Sequence, residues 1–149
     1  MIDRKKVYEK CMQYLNEHIH DLNDRLTEIR QSMEGESKSS AGDKHETSRA
    51  MLHLEQEKLG SQLQEALLQQ NALQQYEHVT DTGTVKNGSL MHTDKGYIYL
   101  TVPLGKLHVG ETDVMVISQR SPLGMQLLGK KVGDLIKQQA INFKILEIS

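Results

Sequence analysis

Tryptophan is absent from this chain, and phenylalanine and cysteine each occur once in 149 residues. A single cysteine cannot form a disulfide within the chain, which excludes a disulfide scaffold. Cys11 falls on the apolar stripe of a predicted helix, so we expect a reduced, buried thiol rather than a nucleophile. Long apolar runs are also missing, because none approaches the ~18 residues that suggest a membrane span. We therefore expect a soluble, cytoplasmic protein.

Glycine and charge are unevenly distributed along the chain. Residues 1–78 hold 3 of the 11 glycines and 10 Lys+Arg against 14 Asp+Glu, a net charge of −4. Residues 79–149 hold the other 8 glycines, both prolines and 8 Lys+Arg against 6 Asp+Glu, a net charge of +2. A glycine-poor segment followed by a glycine-punctuated one indicates a helical module and a small sheet-containing module. We predict an α+β protein with domains at 1–78 and 79–149, divided near His78 to Gly83.

The first module is patterned as two long helices. Apolar residues recur at steps of three and four in both runs, which places them on one side of each helix. Residues 34–42, EGESKSSAG, are rich in glycine and serine and predict a reversal between the runs. The sequence therefore predicts an antiparallel coiled-coil hairpin with an acidic tip near residues 42–46. The first stripe comprises Val7, Cys11, Leu15, Ile19, Leu22, Leu26, Ile29 and Met33, and the second comprises Leu52, Gln56, Leu59, Leu63, Ala66, Gln70 and Leu73.

The second module reads as an antiparallel sheet with one short helix. Ser121 followed by Pro122 is typical of a helix N-cap and first position, and Gly129 is typical of a helix end. The turn Asp94 to Gly96 predicts a hairpin between the first two strands. The predicted strands are residues 89–92, 97–102, 113–118, 135–138 and 142–148.

Asp43 and Glu46 form a carboxylate pair where the two helices are predicted to reverse. Two acids are too few to hold Mg²⁺ alone, but they could complete a site supplied by a partner. The same spacing also suits a helix N-cap with a reciprocal acid three residues later, so capping is the structural alternative.

Three segments of this chain resemble the bacterial GreA/GreB transcript-cleavage factors. SPLGMQLLGKKVGD, residues 121–134, and the terminal FKILEI resemble their C-terminal domain, and GDKHE, residues 42–46, resembles the acidic tip of their hairpin. The resemblance implies an RNA polymerase-binding elongation factor whose FKBP-like C-terminal domain docks on the polymerase. Its hairpin is then expected to enter the secondary channel and stimulate the polymerase's own cleavage of backtracked RNA.

The resemblance also implies roles for individual residues. Asp43 and Glu46 are expected to act in catalysis by helping to hold a Mg²⁺ ion shared with the polymerase active site. Ser121, Pro122, Leu123, Gly129 and Lys130 are expected at the polymerase-binding surface. The chain alone is then not an enzyme and binds no cofactor, and we expect a monomer that meets nucleic acid only within the transcription complex.

Three alternatives remain open. The family's tip usually continues through a segment with one further acid, whereas this chain lacks that acid and has Lys44, His45 and Arg49. A channel-binding regulator without cleavage activity is therefore one alternative. A coiled-coil adaptor is another, and an exposed apolar seam or a stable dimer would favour it. The least favoured is a prolyl isomerase of the FKBP type, for which only Tyr97, Tyr99 and Phe143 could line an apolar pocket.

Overall fold

The computed structural model describes the backbone of residues 1–37 and 42–149, and the side chains of residues 1–35 and 46–149. Two long helices come first, α1 (Arg4–Ser37) and α2 (Gly42–Gln74). The later elements are β1 (Leu90–Thr93), β2 (Gly96–Thr101), β3 (Gly105–Val109), β4 (Thr112–Ser118), α3 (Pro122–Leu127), β5 (Leu135–Gln138) and β6 (Ile141–Ile148). The predicted α+β class is confirmed. Within the described residues, no helix combines the length and apolarity that crossing a membrane requires.

The chain divides into two compact units. One unit, here called the sheet unit, contains Met1–Gln13 and Asn71–Ser149. The other, the helical unit, contains Tyr14–Gln70. The predicted domain boundary near residues 78–83 stays a prediction.

The helical unit is held together by a seam between α1 and α2. Leu22 and Ile29 of α1 share one buried core with Leu59 and Ala66 of α2. The helices run antiparallel, because Gln70, late in α2, donates a hydrogen bond to Asn16, early in α1. Both predicted stripes are confirmed here. Five other apolar members of the stripes pack partly buried against this core: Ile19, Leu26, Met33, Leu52 and Leu63.

The sheet unit contains a six-stranded sheet in the order β3-β4-β2-β1-β6-β5. The sequence predicted an antiparallel sheet, whereas the observed sheet is mixed because β2 and β4 run parallel. The difference comes from β3, which was not predicted. This strand reverses direction after β2, and a hairpin through Gly110, with φ of +63°, then places β4 between β3 and β2.

Each face of the sheet is covered. Side chains alternate across a strand, so Ile98 and Leu100 lie on one face while Tyr99 lies on the other. The first face packs against α3 in one buried cluster, to which β5 and β6 contribute Ile136 and Phe143. The other members of this cluster are Val85, Met91, Leu127 and Ile145.

The second face meets the start of α1. Leu90 and Val116 lie directly opposite Tyr99 on the neighbouring strands, and all three are buried. The pKa of Tyr99 is raised, first by burial and then by electrostatic interaction with Cys11. Burial also raises the pKa of the Cys11 thiol, from 9.0 to about 12. The predicted burial of the Cys11 thiol is confirmed.

This burial predicts that Cys11 reacts slowly in the folded protein. The nucleophile is the thiolate, and with the pKa at about 12 its fraction at pH 8 is roughly 10⁻⁴. We expect iodoacetamide to label native protein about a thousandfold more slowly than protein in denaturant, throughout pH 7 to 9. Mass spectrometry of time points measures both rates. Equal labelling of folded and unfolded chains would contradict the buried placement.

Candidate functional site

The predicted acid pair lies at the beginning of α2. The helix begins at Gly42, so Asp43 and Glu46 both have helical backbones, and they are three positions apart. Three positions correspond to a rise of about 4.5 Å along the helix. The Glu46 side chain is exposed to solvent, whereas the Asp43 side chain lies outside the described residues. The structure therefore places one exposed carboxylate, that of Glu46, at the start of α2. The role of the pair stays a prediction.

The start of α2 also bears on the capping alternative. An N-cap residue precedes the first helical residue and has a non-helical backbone. Gly42 is the first described residue after residues 38–41, so the residue that precedes α2 and the Asp43 side chain lie outside the described residues. The capping interpretation of Asp43 therefore stays an alternative prediction.

A basic residue follows Glu46 on the same helix. Arg49 lies three positions later and is exposed. Residues three apart are neighbours on a helix surface, so opposite charges at this spacing attract each other weakly. The described side chains in this turn of α2 thus include one carboxylate, Glu46, and one guanidinium, Arg49. Their opposite charges balance.

The chemistry of the acid pair suits a hard cation. Magnesium prefers carboxylate oxygens and commonly takes one or two from a protein, with phosphates and water completing six ligands. Among the residues whose side chains are described, no three His, Cys, Asp or Glu cluster as a metal site. Two carboxylates such as Asp43 and Glu46 suffice for one or two Mg²⁺ ligands and are too few for a complete coordination shell, and a Mg²⁺ ion shared with a partner stays a prediction.

The predicted docking segment folds as a capped helix. Ser121 is the N-cap of α3, and its hydroxyl oxygen accepts a hydrogen bond from the Gly124 amide at 3.0 Å. The same hydroxyl donates to the Ser118 carbonyl at 2.7 Å. Pro122 occupies the start of α3, as predicted. Leu123 packs against the buried cluster of the sheet unit, so this residue also contributes to folding.

Gly124 brings α3 against the end of β4. A β-carbon on this residue would lie 2.1 Å from the Ser118 carbonyl oxygen and 2.9 Å from the Gln119 α-carbon. Both neighbours are backbone atoms, which cannot rotate away as a side chain can. Glycine is therefore required here for close packing.

The second half of the segment is hydrogen-bonded to Val85, which precedes β1. Gly129, with φ of +82°, donates its amide hydrogen to the Val85 carbonyl at 2.8 Å. Val85 in turn donates its own amide hydrogen to the Lys130 carbonyl at 2.8 Å. Asp134 accepts a hydrogen bond from the Lys131 amide at 2.8 Å. The structure thus brings the five predicted docking residues together in one folded segment, and their contact with polymerase stays a prediction.

The aromatic residues do not form an open apolar pocket. Tyr99 and Phe143 are buried on opposite faces of the sheet. Tyr97 is half-buried and stacks on His92, with ring centroids 4.4 Å apart. Among the described residues, the three aromatic side chains considered for a prolyl isomerase are thus separated or already packed.

A cleft in the sheet unit was not found from the sequence. It has a volume of about 690 Å³ and lies beside the first turns of α1, where Arg4 and Tyr8 face the segment containing Glu77 and Val79. Arg4 donates a hydrogen bond to the Val79 carbonyl. This contact joins residues 75 positions apart, so no local sequence pattern could have indicated it. The lining mixes acids and bases and favours no single ligand class.

A comparison with known proteins identifies a relative of this chain. The chain is 34% identical over 90 residues to a protein from Chlorobium limicola (strain DSM 245 / NBRC 103803 / 6330) named transcription elongation factor GreA. The chain is similar to GreA.

The similarity to GreA is partial. It covers 48% of this chain and 57% of the Chlorobium protein. No protein-family model matches the chain. The predicted resemblance to the GreA/GreB factors is confirmed, since the GreA similarity accompanies two antiparallel N-terminal helices and a following β-sheet.

Proposed function

We propose that this chain is an RNA polymerase-binding transcription elongation factor of the Gre type. The proposal rests on one observation, the 34% identity to a protein named transcription elongation factor GreA. The exposed Glu46 at the start of α2 and the folded segment at residues 121–134 are consistent with it. In this proposal the chain has no hydrolytic activity of its own and stimulates that of bacterial RNA polymerase.

The two units have separate tasks in this mechanism. The segment containing Ser121, Pro122, Leu123, Gly129 and Lys130 contributes to docking on the polymerase. The helical unit enters the secondary channel and presents the beginning of α2 to the active site. A helix is a suitable carrier, because its continuous hydrogen bonds keep Asp43 and Glu46 at a fixed spacing.

Asp43 and Glu46 act as oxygen ligands in this mechanism. Each carboxylate would supply an oxygen ligand to a Mg²⁺ ion shared with the polymerase active site. When bound, that ion lowers the pKa of its water ligand and shields charge that develops on the phosphate. Asp43 and Glu46 would thereby help to orient a water for attack on the phosphorus of a phosphodiester bond near the RNA 3′ end, and breaking that bond releases the short 3′ fragment.

The direct test uses polymerase stalled in a backtracked complex with end-labelled RNA. We expect the chain to bind the complex and to increase the release of short 3′ RNA fragments in the presence of Mg²⁺. The chain with RNA and Mg²⁺ but without polymerase should release none. Failure to bind polymerase would overturn the proposal.

Binding without RNA release would favour a second candidate, a regulator that occupies the channel without promoting cleavage. The observation behind it is the exposed Arg49 one turn after Glu46. A guanidinium beside the carboxylate competes with a metal ion for the same oxygens. Altered elongation or initiation rates, with no new RNA fragments, would distinguish this candidate.

A further inference from the structure

Asn87 is the one asparagine of this chain that a glycine follows. An asparagine side chain can react with the backbone nitrogen of the next residue. That nitrogen bonds to the Asn87 Cγ, the Cγ–Nδ2 bond breaks, and ammonia leaves with the hydrogen of the backbone amide. Water then opens the cyclic imide at either carbonyl, which gives aspartate or isoaspartate. Glycine favours this ring closure, because it has no side chain in the way and its backbone is the most mobile.

The fold holds this dipeptide in a tight turn directly before β1. The Ser89 amide donates to the Lys86 carbonyl at 3.0 Å, and the Lys86 amide donates to the Ser89 hydroxyl at 3.0 Å. Asn87 and Gly88 are therefore the two central residues of a β-turn. The φ of +95° at Gly88 fits the third position of a type II turn.

The nitrogen that would attack is engaged in this turn. Gly88 is buried, and its amide donates to the Leu100 carbonyl of β2 at 2.7 Å. The Leu100 amide donates in return to the Ser89 carbonyl at 3.0 Å. The Gly88 nitrogen must lose its hydrogen to attack, so its hydrogen bond has to break first. The reaction therefore requires that the turn separates from β2.

The side chain that would be attacked is held as well. Asn87 donates from Nδ2 to the Gln119 side-chain oxygen at 2.6 Å, across 32 positions of the chain. Rotation of the Asn87 side chain toward the Gly88 nitrogen would break this hydrogen bond. Asn87 thus loses a tertiary contact before it can react.

We propose that Asn87 is a latent deamidation site, which the fold protects and whose product the native turn does not accept. The reaction then proceeds only during the fraction of time in which the turn at residues 86–89 is open. Each opening exposes the dipeptide in the conformational freedom of an unfolded chain. Deamidation therefore marks chains whose turn has opened.

The product conflicts with the native turn in two ways. A carboxylate at position 87 cannot donate to Gln119, and the Asn87 Oδ1 position is buried without a partner among the described residues. A charge at that position is costly because no donor offsets its burial. Isoaspartate adds a methylene to the backbone beside Gly88, where a β-carbon would already lie 2.5 Å from Val79 Cγ2.

The first experiment follows deamidation of the full chain by peptide mass spectrometry at pH 8, with and without denaturant. We expect Asn87 to react about hundredfold more slowly in the native protein than in the denatured chain. Asn23 and Asn142 are internal references that no glycine follows, and they should react slowly in both states. Equal rates at Asn87 in the two states, or an Asn87 that is stable in denaturant, would sink the proposal.

The second experiment separates protection by the turn from the stability of the whole unit. Gln119→Ala removes the partner of the Asn87 amide and should raise the native rate about fivefold. Gln126→Ala is the matched control, because Gln126 also donates one hydrogen bond, to the Lys137 carbonyl at 2.8 Å. This control should leave the rate at Asn87 unchanged. Equal acceleration in both variants, or none in Gln119→Ala, would contradict the proposed protection.

The third experiment measures whether the turn accepts the product. Asn87→Asp carries the deamidated side chain from the start, and its Tm should lie roughly 5 °C below that of the wild type. Asn142→Asp makes the same change at an exposed position in β6 and should leave Tm nearly unchanged. Equal Tm values for the two variants would show that the turn tolerates the product, contrary to the proposal.

Discussion

Replacing Glu46 by Gln is expected to lower RNA release from backtracked polymerase about hundredfold, which corresponds to about 2.7 kcal/mol of activation free energy. The substitution keeps the size of the side chain and removes its charge. An amide oxygen is a weaker Mg²⁺ ligand than a carboxylate, so the shared ion would be bound less tightly. Asp43→Asn should have an effect of similar size. The release rate at saturating factor concentration measures both.

Two further readouts separate metal binding from a structural role. If Asp43 and Glu46 serve one ion, the double variant should lose little more activity than either single variant. Raising the Mg²⁺ concentration should also restore part of the lost activity, because a weakened site fills at higher metal concentration. A merely unfolded helix would show neither behaviour.

The matched control for these variants is Glu28→Gln. Glu28 is an exposed acid on α1, and the substitution makes the same change of charge and shape. We expect unchanged RNA release and unchanged polymerase binding. If Glu46→Gln and Glu28→Gln behave alike, the carboxylate at the start of α2 has no special function.

The second large effect is expected at Gly124. Gly124→Ala would place a β-carbon 2.1 Å from the Ser118 carbonyl oxygen. Because the neighbouring atoms are backbone, α3 must shift away from β4, at a cost of about 3 kcal/mol in the free energy of unfolding. For a chain of this length, that loss lowers Tm by roughly 10 °C. Denaturant titration and calorimetry provide the two measurements.

Gly60→Ala is the matched comparison. Gly60 also lies inside a helix, but a β-carbon there would meet no atom within 4 Å. Alanine favours helix by about 0.5 to 1 kcal/mol relative to glycine, so this variant should be more stable than the wild type. If both alanine variants shift stability in the same direction, close packing is not the reason for Gly124.

The helices were predictable because their signals are local. The spacing of Leu22, Ile29, Leu59 and Ala66 identifies the buried face of each helix without knowledge of the rest of the chain. Ser121 and Pro122 likewise mark the start of α3, since capping depends on residues three positions apart. The resemblance to GreA/GreB factors was also visible in short, contiguous motifs.

The sheet was less predictable because strand pairing is not local. GKLHV at residues 105–109 alternates weakly, with Leu107 as its one buried residue, so β3 has little periodicity of its own. A prediction that omits β3 misses the reversal of the chain between β2 and β4. It therefore cannot show that β4 runs parallel to β2. The cleft beside Arg4 depends in the same way on a contact across 75 positions.

The requirement for glycine at position 124 and the two faces of α2 show a further limit of prediction from the sequence. Sequence marks a glycine within a motif, but only the position of the Ser118 backbone shows why alanine does not fit. The spacing of apolar residues identified one stripe on α2. The exposed fractions of Met51, Leu54 and Leu68 show that α2 has further apolar residues on its solvent-exposed surface.

The amino-acid sequence by itself determined the two helices, their buried stripes, the α3 cap and the similarity to GreA. These depend on periodicity and short motifs, whose physical basis lies within a few neighbouring residues. The tertiary structure alone decided the mixed strand order, the burial of Tyr99, the close approach at Gly124 and the exposure of Met51, Leu54 and Leu68. These depend on which distant segments meet, and that is set by packing of the whole chain rather than by any local pattern.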